Sequence, residues 1–360
     1  MKRRESLIKQ GVALLISSLL FSHSIPGHAV QEISPLKAVM DVRIELLYII
    51  DATANTSSWH NCQLMNTIYN QQVIKHFSPY QKHEAVQYYL KFIQGKFDFS
   101  YLERAFLSLP YSLQKDEIII FDQWPIELGL FIDKALAFYQ DSEFKIFMLR
   151  QSSIIREMER SYQGILNRQQ WQESYLAWFS ESLAQFRVVL SPLKRFSHQG
   201  YLIKLNDELP DYTLVLGLTA INNGYLVFAP SKDLQKLILL EASYEMIWHE
   251  MEFFPEKMAL IEEALLSSND TWIDLGFTDS SQFVAYQMAM CMYWKVLDDL
   301  DQDDSAIQYI QEAEEAGYFL IKPSWNLFNS FSQAQDSLSW KAYTPIWMDS
   351  LLLDLAEKQV

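Results

Sequence analysis

The chain has 360 residues, 49% of them hydrophobic and 14% aromatic, with a formal net charge of −16. That is enough apolar material for one large domain or two modest ones. The charge argues against nucleic acid and anionic membrane surfaces as partners, since both repel an acidic protein.

With only 10 Gly and 11 Pro, no low-complexity run and no fixed-period repeat, the body is expected to fold throughout. The first segment, "MKRRESLIK", is basic, and Gly11 to Phe21 is an apolar stretch of signal-peptide length. Small residues at Gly27 and Ala29 then offer a cleavage site. Residues 1–29 are therefore expected to be a signal peptide, which makes the mature protein exported, periplasmic or secreted. Those residues carry four Lys/Arg and one Glu, so the mature charge would be −19. No later run is long and apolar enough to span a membrane. Two cysteines, Cys62 and Cys291, either pair in an oxidising compartment or stay as two buried thiols.

Residues 30–185 read as a helical region. Apolar residues recur at helical spacing from Leu36 to Ile50, and again in Ser78–Gly95, in Ser100–Leu109 before Pro110, in Pro125–Ser142 and in Glu143–Leu166. The segment from Trp171 to Phe186 continues the pattern. Residues 186–360 change in texture. Strand-like runs over about 186–230 are separated by turn residues, and Asn223-Gly224 is a strong hairpin signal. Helix resumes over about 232–254, with Ser231 as N-cap and Pro255 beyond its end. Another helix runs from Ser281 to Leu297. The expected fold class is α+β, mainly α-helical, with a small antiparallel sheet before the helix that carries His249-Glu250. The N-terminal and C-terminal regions are expected to pack as one unit.

The order of "DVRIELLYIIDATAN", "HEAVQYYLKF", "VVLSPL", "NNGYLVFAPS" and the His-Glu helix resembles the domain-of-unknown-function family 4932. These are exported bacterial proteins regarded as zincin-like metallopeptidases of the gluzincin type. The resemblance covers roughly residues 36–350 and implies a zincin-like fold. A zincin helix carries two histidines four residues apart, because i and i+4 share a face and both rings then reach one zinc ion. The Glu after the first histidine serves as general base for the metal-bound water.

Residue by residue, His249 matches the first ligand and Glu250 the general base, but Phe253 stands where the second histidine belongs. The following helix has no Glu, Asp or His, and offers only Tyr286, Gln287 and Cys291 in place of the third ligand. The resemblance thus implies the fold and not the reaction. Glu241, Glu245, His249 and Glu252 form one stripe, and Glu245 with His249 has the spacing of two ligands to one ion. The plainer reading is a solvated polar face opposite Leu237, Leu240, Ile247 and Met251, or a buried Glu250 paired with Arg or Lys.

Other signals are weaker. His60, His76, His83 and His198 are expected to pack or cap, and Pro79 argues against one helix through His76 and His83. Asp299, Asp301 and Asp303 suggest the start of a calcium loop, yet Asp304 and Ile310 replace its Gly and Glu, which leaves a solvated acidic loop. No nucleophile elbow, P-loop or dinucleotide fingerprint occurs.

The expectation is a non-catalytic pseudo-peptidase that binds a peptide or an envelope protein, with no cofactor. The alternative is an active metal-dependent hydrolase with unconventional ligands: Glu250 as its base, His249 and Glu245 on the metal, and zinc as the ion.

Overall fold

A computed structural model describes residues 34–54, 67–94, 99–114, 125–167, 175, 178–179, 185–194, 198–204, 209–222, 225–228, 231–268, 271–277, 279–299, 306–333 and 340–358. The signal-peptide expectation for residues 1–29, His60, Cys62, Asn223-Gly224 and residues 300–305 of the acidic loop lie outside them. Residues 33–360 form one compact unit.

The architecture is mainly helical α+β. Strand β1 (Ser34–Val39) leads into helix α1 (Val42–Ala54), followed by α2 (Ile68–Phe77), α3 (Glu84–Gln94), α4 (Phe99–Leu107), α5 (Ile126–Asp141), α6 (Phe144–Arg150) and α7 (Ser152–Leu166). Strands β2 (Gln185–Ser191), β3 (His198–Ile203) and β4 (Asp211–Gly217) complete a four-stranded sheet in the order β1-β2-β4-β3. β1 and β4 both pair with β2 in parallel, while β3 pairs antiparallel with β4. This sheet is therefore mixed. Strands β5 (Ala220–Asn222) and β6 (Tyr225–Val227) form a separate antiparallel hairpin, with Asn222 opposite Tyr225.

The sequence reading of helix from Leu36 is corrected: residues 34–39 are strand and helix begins at Val42. Leu36 and Ala38 are buried on either side of exposed Lys37. A six-residue apolar segment fits either period, and parallel pairing with β2 decides it. β1 comes from the N-terminal region, so the two sequence regions share one sheet.

Side chains alternate across this sheet. Val188, Leu190, Leu214 and Leu216 face a core built with α7 and the C-terminal helices. Val189, Val215, Tyr201 and Ile203 face a second core built with α1 to α6. Burial on both faces explains why β2 and β4 read as continuous apolar runs.

The outer edge of β1 is closed by side chains of α7. The Ala38 N–H donates to Gln163 Oε1 at 2.9 Å, the Gln163 amide donates to the Leu36 carbonyl at 2.8 Å, and the Met40 N–H donates to Glu159 Oε1 at 2.9 Å. These bonds occupy groups that an added strand would need.

Helix α8 (Ser231–Lys236) passes through π-helical turns (Leu237–Ala242) into α9 (Ser243–Met251). The wide turns leave carbonyls that α-helical bonding would have used. The Tyr175 hydroxyl donates to the Ile238 carbonyl at 3.3 Å, and the Ser243 hydroxyl donates to the Leu239 carbonyl at 2.5 Å. The remaining helices are α10 (Pro255–Ser268), α11 (Thr271–Asp274), α12 (Ser280–Asp299), α13 (Ala306–Glu315), α14 (Ile321–Gln333) and α15 (Trp340–Lys358). Among the described residues no helix is long and apolar enough to cross a membrane.

Candidate functional site

Helix α9 packs beside the edge strand β3 and along α12. His249 and Glu250 are consecutive on it, so their side chains point about 100° apart. Met246, Ile247, Glu250 and Met251 face the core, while Glu245 and His249 face the other way.

The His249 side chain is 24% exposed, and its Nδ1 lies 3.3 Å from Glu252 Oε2. Its ring meets the Phe253 ring at 5.2 Å, edge to face. Phe253 itself is 55% exposed. Glu250 is 4% exposed, and one of its carboxylate oxygens has no hydrogen-bond partner. The buried Glu250 is thus not the Arg- or Lys-paired group that the sequence allowed, for no ion pair to it exists among the described residues.

The other proposed ligands are engaged elsewhere. The Gln287 carbonyl oxygen accepts from the Leu320 N–H at 2.8 Å, and its amide donates to the Phe283 carbonyl at 3.3 Å. Cys291 is a buried free thiol whose Sγ lies 3.5 Å from the Ile321 carbonyl. Among the described residues no three His, Cys, Asp or Glu side chains converge as a metal site would require.

Glu245 keeps different company. Burial pushes its carboxyl up to about 7, with Arg104 of α4 acting the other way and Glu241 and Glu252 adding to the rise. Glu241 is also pushed up, by burial, against Lys236. Neither carboxylate has a hydrogen bond or ion pair among the described residues.

Tyr212 of β4 is fully buried, with a hydroxyl that has no hydrogen-bond partner among the described residues. Burial, then the charge of Glu245, raises this phenol. The Tyr212 ring lies across Gly200 of β3. A Cβ at Gly200 would stand 2.0 Å from the Tyr212 oxygen, so no other residue fits there without displacing it.

Half-buried aromatic rings flank the strip. Tyr244 and Trp248 stack with centroids 6.2 Å apart at 19°, and Tyr244 meets Tyr286 edge-on at 6.2 Å. The Trp248 indole N–H donates to Ser281 Oγ at 3.1 Å, and the Ser281 hydroxyl donates to Asp279 Oδ1 at 2.6 Å.

A second polar cluster, which the sequence reading missed, lies between the sheet and the N-terminal helices. The Lys194 ammonium donates to both Glu103 oxygens at 2.7 and 2.8 Å and to the Tyr48 hydroxyl at 3.1 Å. The hydroxyls of Tyr48 and Tyr201 donate to the same carboxylate. Burial pushes the Glu45 carboxyl up to about 8, and hydrogen bonds from Ser191 and Tyr69 act against the rise.

Nearby, Arg43 holds Asp41 through Nε and Nη2 at 2.9 and 2.6 Å. Its Nη1 donates to the Leu107 and Leu109 carbonyls at the end of α4, at 2.5 and 2.6 Å. The available signal was the charge inside an otherwise apolar helix, "VRIELLYII", which demands buried partners. None of these side chains is open to solvent, so the cluster reads as an internal clamp joining α1, α4, β2 and β3.

His76 and His83, read from sequence as packing or capping groups, behave so. His76 Nε2 lies 2.9 Å from the Ser142 carbonyl, and His83 Nδ1 accepts the Ala85 N–H at 3.1 Å. Pro79 lies in a single 3₁₀ turn between α2 and α3. No protein-family model, curated protein or solved structure matches the chain.

Proposed function

We propose that this chain is an exported, zincin-like protein that binds a peptide or an envelope protein without metallopeptidase chemistry. The observation that carries the reading is the contact of His249 with Phe253, whose ring lies 5.2 Å from the imidazole at the position where a zincin's second histidine would stand. A zincin needs two histidines on one metal and a Glu that reaches the metal's water. Here His249 meets Glu252 and Phe253, and Glu250 is buried in the core. The binding surface in this reading is the polar and aromatic strip between β3 and α9. The edge of β1 is taken up by Gln163 and Glu159, which leaves β3, beside α9, as the other edge of the sheet.

The test has two parts. Elemental analysis of the mature protein beside a His249→Ala variant is expected to find no zinc that depends on His249. A peptide array probed with the labelled mature protein is expected to retain a subset of peptides uncleaved. Stoichiometric zinc that is lost in the variant would establish the alternative, an active hydrolase with ligands around His249 and Glu245. An array with no bound peptide would remove the binding reading.

A further inference from the structure

We draw no further inference here: the strongest candidate, the polar side-chain cluster of Arg187 on β2 and Thr213 opposite it on β4, with the Tyr111 ring over the guanidinium, carries nothing, because its unpartnered nitrogens and hydroxyl are sealed from solvent and Asp41 and Asp211 already flank the charge.

Discussion

Lys194 donates to both oxygens of Glu103 where neither side chain meets solvent, and two tyrosine hydroxyls complete the carboxylate's shell. Removing one member leaves the other charge buried alone, which costs about 3–5 kcal/mol. Lys194→Met is therefore expected to lower the stability read from urea unfolding by that amount. Lys194→Met combined with Glu103→Leu should recover a large part of it. Equal losses in the single and double variants would show that the two charges are not coupled.

Glu45 gives the fold a dependence on pH. Its carboxyl titrates at about 8 in the folded protein, against an ordinary value of 4.5. A carboxyl raised on folding stabilises fully below its unfolded value, and that contribution is lost as pH rises through the folded value. Stability should fall between about pH 4.5 and 8, by up to about 1.4 kcal/mol per pH unit from this group. Glu45→Gln should flatten that part of a profile of Tm against pH, and a profile unchanged by the variant would reject the assignment.

Gly200→Ala would place a methyl group 2.0 Å from the Tyr212 oxygen. Overpacking of this kind costs about 1–3 kcal/mol. Adding Tyr212→Phe should recover part of the loss but not all, since the ring carbon that bears the oxygen would still lie 2.9 Å away. Thermal unfolding of the two variants measures both effects.

Cys291 is buried, and burial pushes its thiol well above the ordinary range. The folded protein should show no reaction of Cys291 with a thiol reagent over minutes, followed by full reaction in denaturant. Peptide mapping of the labelled product reads this directly, and rapid labelling of the native protein would contradict the burial.

The helices were legible where one periodic face is long enough to be unambiguous. Ile126–Asp141 and Ser280–Asp299 match the sequence reading within a residue or two. The strands over Gln185–Val227 were legible from β-branched runs between turn residues. Residues 34–39 were misread because six residues satisfy both periods, and their partner strand lies about 150 residues away. The π-helical turns left no mark in the spacing; one of their carbonyls, that of Ile238, accepts from the Tyr175 hydroxyl 63 residues away in the chain.

What the sequence by itself determined is the chemistry available: a chain rich in helix, a His-Glu pair without a second histidine at position 253, and carboxylates at 241, 245 and 252 on one stripe. Spacing along a helix is local, so it survives without any knowledge of the rest of the chain. Tertiary structure decided which of these groups meet. It turned Glu250 into the core and His249 toward Glu252, and it laid the Tyr212 ring across Gly200. It also collected Glu45, Tyr48, Glu103, Lys194 and Tyr201 from four distant segments into one dry cluster. Those meetings depend on parallel strand pairing and on packing between layers, where the free energy comes from residues far apart in the chain.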